Sequence, residues 1–208
     1  MDAIHSETKV LLLGGTSHSG KTTLAAGLAG RLGWRHVSAD RLSRHPGRPW
    51  SNDGASLPDD VIEHFSRLSP EELLEDVMSH YRGNVWPIVD AIVRSHVRNS
   101  FDRGLVLEGS AILPELYESS SLPDACSAIW LRISKPDLRE RILLSSRFET
   151  RRLDEQELIE AFFDRAVRFN STIAEAAVAR GYACIGSASF EMDEVVSALG
   201  VRTDVDGV

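Results

Sequence analysis

Lysine is almost missing from this chain of 208 residues: it stands at positions 9, 21 and 135, and, histidine apart, every other basic side chain is arginine. Cysteine is nearly as scarce, and Cys126 and Cys184 form neither a C-x-x-C pair nor a metal-ligand spacing, which excludes a disulfide scaffold and a zinc ribbon. The first residues lack the apolar segment of a signal peptide, so a reducing, cytoplasmic setting is expected. No apolar run approaches the length that spans a bilayer. A formal net charge of −8 disfavours both nucleic acid and anionic membrane as partners. Internal repeats and low-complexity linkers are also missing, and 42% hydrophobic residues suffice for one core, so a single domain over 1–208 is expected, as monomer or homodimer. The partner that remains is a small molecule.

What the chain does have is Gly15-Thr16-Ser17-His18-Ser19-Gly20-Lys21-Thr22, which fits G-x-x-x-x-G-K-[ST] without a mismatch. Its flanks give the pattern meaning. Val10-Leu11-Leu12-Leu13 reads as a buried strand, and residues 22–32 carry Leu24, Leu28 and Leu32 at helical spacing. Glycines let such a loop curl its amides inward, and the new helix turns its positive end on the phosphates. The loop therefore predicts a nucleotide site lined by Gly15, Thr16, Ser17, His18, Ser19, Gly20, Lys21, Thr22 and Thr23, with Lys21 on the β- and γ-phosphates and Thr22 on Mg²⁺. His18 reads as a spacer whose backbone N–H matters. A guanine reader of the Asn-Lys-x-Asp type needs a lysine, and none of the three sits in such a setting, so ATP is expected rather than GTP.

Strands are expected at 9–13, 34–38, 105–107, 125–133 and 182–185, alternating with helices and without period-two patterning, which predicts a parallel sheet covered on both faces. Residues 41–58 are irregular, and a loop that long is either functional or plain surface. Helices follow at 59–68 with Val61, Ile62, Phe65 and Leu68 inward, after the Ser69-Pro70-Glu71-Glu72 capping signal, and at 85–97. A further helix is capped by Ser134, a long one runs over 154–180, and a last one over 190–199. The expected fold is thus a three-layer α/β phosphate-loop domain with five parallel strands and an inserted helical acceptor region at 41–100.

The second strand delivers Asp40, and the third delivers Glu108, to the sheet edge that carries the loop, where open α/β sheets bind ligands. Phosphoryl transfer needs a carboxylate to position or deprotonate the acceptor, so Asp40 is the candidate base or metal positioner and Glu108 a candidate for Mg²⁺ or acceptor binding. Asp40 as a helix cap or turn residue is the alternative. Arg41, Arg44 and Arg48 follow Asp40, and Arg94 and Arg98 recur on one helix. These concentrate positive charge against the acidic whole, which points to a compact anionic acceptor. Asp90 and Arg94 equally make a solvated helix pair. Arg147, Arg151 and Arg152 at 145–154 form a candidate lid over the γ-phosphate, although an arginine-rich chain also clusters them by chance. Arg165 and Arg168 either face the cleft or pair with Glu157, Glu160 and Asp164.

On these motifs the chain resembles the phosphate-loop kinases of small metabolites and nucleotides. GTSHSGKTTLA after VLLLG, the strand-end Asp40, and Glu108-Gly109 followed by Leu113-Pro114-Glu115 are most similar to kinases of 2-phosphoglycerate. The resemblance covers most of the chain and implies ATP and Mg²⁺ as cofactors, with Leu138 and Arg141 placing Arg141 against adenine. Where such kinases carry a further arginine this chain has Ser145, so that role passes to Arg147. Two other readings stay open: a nucleoside or nucleotide kinase with Trp50, Phe65 and Trp86 stacking on the acceptor, and an ATP-binding regulatory protein without transfer.

Overall fold

The structure, a computed structural model, describes residues 8–53, 55–99, 103–187 and 195. Five strands, β1 (Val10–Gly15), β2 (Arg35–Ser38), β3 (Leu105–Glu108), β4 (Cys126–Arg132) and β5 (Cys184–Gly186), form one parallel sheet in the order β2-β3-β1-β4-β5. β1 is central because it is apolar at every position: Leu11 and Leu13 face one side, Val10 and Leu12 the other, and all four are fully buried. A strand of this kind gains on both faces only if helices cover both.

On the first face lies α1 (Lys21–Leu32), with Leu24, Ala25 and Leu28 packed on Leu11 and Leu13. The opposite face receives α4 (Trp86–Arg98), α5 (Pro114–Ser119) and α7 (Leu153–Ala179), through Val89, Val93, Leu113, Phe169, Ile173 and Ala177. Beyond this layer, α2 (Asp59–Arg67), α3 (Pro70–His80) and α6 (Lys135–Ser146) close a third apolar cluster around Phe65, Leu73, Ile142 and Phe162. The three-layer α/β architecture with an inserted helical region is the one expected from the sequence. Among the described residues no helix is long and apolar enough to cross a membrane.

Capping explains where helices begin. Ser69 Oγ accepts from Glu72 N–H at 3.2 Å, and Glu72 returns the contact by accepting from Ser69 N–H at 2.8 Å. Two expectations need correction. The helices expected at 70 and 85 are joined, because Tyr81–Val85 is a π-helical turn; Pro87, near the start of α4, has no N–H to donate, which favours a wider register there. Ile62, expected inward, is largely exposed, since α2 spends its buried face on Val61 and Phe65. The short helix α5 gave no sequence signal. The helix expected over 190–199 lies outside the described residues apart from Val195, which is buried against the α1 face.

Candidate active site

The turn from β1 into α1 wraps a loop at the carboxyl edge of the sheet. Gly15 and Gly20 both have positive φ, 137° and 92°, which side-chain-bearing residues rarely adopt. Helix α1 starts without a side-chain cap and without an acidic residue in its first turn, unlike the Ser-capped α3 and α6. Its first amides are therefore left for an anion. Lys21 is 4% exposed and folds back, donating from Nζ to Thr16 O at 2.8 Å and to Ser110 Oγ at 3.3 Å. Burial lowers its pKa, and Asp40 and Glu108 oppose the shift. Thr16 is buried too and donates to Ala166 O of α7 at 3.3 Å. Thr23 lies on the exposed side of the first turn of α1.

Glu108 is fully buried at the end of β3. Thr22 Oγ1 donates to its Oε1 at 3.2 Å, His36 Nε2 stands 3.9 Å from the same oxygen, and Oε2 has no partner among the described residues. A buried carboxylate oxygen left bare is costly unless a cation or water meets it. With the Thr22 hydroxyl and the nearby Asp40 carboxylate, these are hard oxygen donors of the kind Mg²⁺ takes, so the residues present fit that ion. Asp40 is fixed by a close approach: a Cβ on Gly109 would meet Ala39 Cβ at 2.7 Å and Asp40 Oδ1 at 3.2 Å. Because glycine stands there, Ser110 N–H reaches Asp40 Oδ1 at 2.9 Å. Ser110, which touches both Lys21 and Asp40, is a site residue that the motifs do not single out; its position directly after Glu108-Gly109 is the one signal for it in the sequence.

Helix α6 is fastened to the loop at two points. Arg141 Nη1 donates to His18 O at 3.0 Å, and His18 Nε2 meets Ser145 Oγ at 2.8 Å. His18 is thus more than a spacer. Its ring packs between Trp50 and Phe162, at 5.8 and 6.1 Å, and burial, with the charges of Arg48, Lys21 and Arg141, lowers its pKa to about 4. Between pH 6.5 and about 4 the unfolded chain binds a proton here that the folded chain does not, so acid costs stability over that window. A melting series from about pH 7.5 to about pH 4 should show this fall, and His18→Asn, which tolerates the positive φ of 64° at this position, should make it shallower, with buried His45, lowered over the same window, keeping part of it. Parallel curves for the two proteins would place the acid sensitivity elsewhere.

Beside Asp40 opens a cavity of about 480 Å³. Arg41, Arg44, Arg48 and Arg165 line it together with Ser17, His45, His80, Tyr81 and Ser110, and Asp40 is its only carboxylate among the described residues. Arg165 is 8% exposed and held between Phe162 and Phe65, at 4.6 and 5.3 Å from the ring centres. Its Nη1 is buried without a hydrogen-bond partner among the described residues, and burial lowers its pKa. Burial and the Asp40 charge raise the Tyr81 pKa to about 12. Arg44 is exposed and 3.6 Å from Asp60, and Arg48 lies 6.0 Å from the Trp50 ring.

Not every candidate arrives. Arg94 grips Asp90 at 2.8 Å and Ser120 O, and Arg98 donates to Arg94 O. Helix α4 runs away from the loop, so both lie toward the end where His96 meets Arg103 O just before β3, the opposite edge of the sheet. Arg147 occupies a left-handed cap at the end of α6, and its side chain is exposed. Arg151 is spent on Ser146 O and Ser51 O, and Arg152 on Asp154. Arg165 and Arg168 pair with none of the acids considered for them: Glu160 holds Arg139, and Arg168 holds Glu71 in a separate groove between α3 and α7. Trp50 and Phe65 are buried in the helical cluster, and Trp86 is buried with its Nε1 on Ser120 Oγ, so none offers an open face for stacking.

No family model matches the chain, and no curated protein matches it. Among solved structures it is similar in shape to a gluconokinase from Sinorhizobium meliloti 1021, with TM-score 0.48, 16% identity, and 93% of this chain and 90% of that one covered. A sugar kinase from Janibacter sp. HTCC2649 gives 0.48, 15%, 97% and 99%, and shikimate kinase from Aquifex aeolicus vf5 gives 0.37, 14%, 90% and 91%. With scores below 0.5, these likenesses do not decide the activity, which rests on the residues of the site.

Proposed function

We propose that this chain is an ATP-dependent phosphotransferase that moves the γ-phosphate of Mg-ATP to a hydroxyl of a small anionic metabolite. The observation that carries this reading is Arg165: a desolvated guanidinium with a bare Nη1 lines the same cavity as a single strand-end carboxylate, next to a complete phosphate loop. An anionic group on the acceptor satisfies that N–H and offsets the cost of burying the charge.

The loop amides and Lys21 Nζ bind the phosphates, Lys21 exchanging its contact with Thr16 O for them. Thr22 and Glu108 would hold Mg²⁺ beside Asp40, and the ion would supply positive charge that offsets the negative charge of the transferred phosphate. Ser110 N–H orients the Asp40 carboxylate through Oδ1, leaving Oδ2 to take the acceptor's hydroxyl proton. The hydroxyl oxygen bonds to the γ-phosphorus as the bond to the β–γ bridging oxygen breaks, and ADP leaves. Segment 145–154 is the proposed lid within a single domain, with Arg147 the one of its three arginines whose guanidinium has no partner among the described residues. Arg141 on α6 is proposed to stand against the adenine.

Initial rates over a panel of phosphorylated hydroxy acids, carboxylated sugars, neutral sugars and nucleosides test the reading, and turnover confined to the neutral compounds and nucleosides would end it. Replacing Arg165 with methionine keeps an apolar filling between Phe65 and Phe162 and removes the charge. Losing one charged hydrogen bond should raise the acceptor KM about 10–100-fold with the ATP KM unchanged. An unchanged acceptor KM would take the anion away from Arg165.

A further inference from the structure

Two imidazoles and a carboxylate converge at the flank of the cavity that Asp40 and Arg165 also line. His45 comes from the segment after β2, His64 from α2 and Asp76 from α3. His45 Nε2 lies 3.0 Å, and His64 Nε2 3.9 Å, from Asp76 Oδ2, and one donor atom from each residue lies within 4.8 Å of the others. The two rings meet edge to face at 5.4 Å. His64 Nε2 is buried with no hydrogen-bond partner among the described residues.

We propose that His45 Nε2, His64 Nε2 and Asp76 Oδ2 form a binding site for a Zn²⁺-class divalent transition-metal ion. Two nitrogens and one carboxylate oxygen suit a borderline-soft ion, whereas Mg²⁺ prefers an all-oxygen octahedron. Zinc bond lengths of about 2.0–2.2 Å put tetrahedral donors about 3.3 Å apart, so the His45–Asp76 pair at 3.0 Å opens slightly, the His64–Asp76 pair at 3.9 Å closes, and the imidazole nitrogens, within 4.8 Å of one another, draw together by rotation of their side chains. The bare His64 nitrogen is what such an ion would satisfy. Three protein ligands leave one position for water. His80, one turn after Asp76, lies with its ring tilted against His45 at 4.8 Å and stands outside the set of three.

Two features oppose the ion. Gly47 N–H donates to His45 Nδ1 at 3.3 Å, which keeps the His45 proton on Nε2 toward Asp76. Coordination shifts that proton to Nδ1 and gives up the long Gly47 contact, with no net proton released by a neutral ring. The Arg165 charge also bears on both imidazoles, while the Asp76 carboxylate counters it. Because the ligands come from a loop and two helices, binding would fasten that loop to the helical region.

The test is a Zn²⁺ titration of the tag-free, chelator-stripped full chain in excess Mg²⁺, against a chromophoric zinc chelator, with melting temperature followed in parallel. One Zn²⁺ per chain and a higher melting temperature are expected. His64→Ala, whose Nε2 has no hydrogen bond to lose, should weaken binding by about 10–100-fold or more and abolish the thermal shift. Asp76→Asn, at an exposed position, should do the same and serves if the first variant fails to fold. Absence of saturable binding, or equal affinity in wild type and a folded variant, overturns the proposal; the second result would move the ion elsewhere, such as His36 and Glu108.

Discussion

Lys21→Ala is expected to cut phosphoryl transfer by at least about 10²–10³-fold, the usual loss when a group aimed at transition-state charge is removed from a dry site. The side chain is buried, yet its two hydrogen bonds end within the site, on Thr16 O of the loop and on Ser110 Oγ just after β3. Its loss therefore frees no distant part of the fold, and one bare carbonyl should cost about 1–3 kcal/mol at most. Rate and melting temperature are to be measured together. Retained turnover would remove the loop from the mechanism, and a collapsed melt with no folded fraction would make Lys21 a structural residue.

Asp40→Asn is the second large effect. Asparagine keeps an oxygen for Ser110 N–H, so the 2.9 Å contact and the packing of Ala39 on Gly109 survive, and only the negative, proton-accepting oxygen is lost. Turnover should fall about 10²–10⁴-fold, the contribution of a positioned general base, with nucleotide binding preserved. A loss under about threefold with a true acceptor, far below that range, would return Asp40 to the role of a turn residue.

These two residues are legible because their signals are local. A buried apolar strand running into a glycine-bounded loop and a helix is written in consecutive residues, and Asp40 and Glu108 each follow or end a short strand directly. Arg165 is ambiguous in sequence for the opposite reason. A 27-residue helix presents several faces, and only the packing of Phe162 and Phe65 shows which one meets the cavity. By sequence Arg94 and Arg98 belong with Arg41 and Arg44, because all lie between β2 and β3. The direction of α4, which carries them to the far edge, is a tertiary fact. Arg147 reads as a lid residue by spacing, and its place in a left-handed cap depends on where α6 stops. Helix α5, at six residues, is too short to show a period.

The central claim is that the γ-phosphate passes to an acceptor bound between Asp40 and Arg165. The most direct measurement tracks label from γ-labelled ATP, with Mg²⁺ and a mixture of small hydroxylated acids, sugars and nucleosides, resolving products by mass. The account predicts a labelled phosphomonoester of an anionic compound, formed by the wild-type chain and nearly lost in Asp40→Asn. Label found only as inorganic phosphate, only on nucleosides or neutral sugars, or left on ATP throughout, would contradict it.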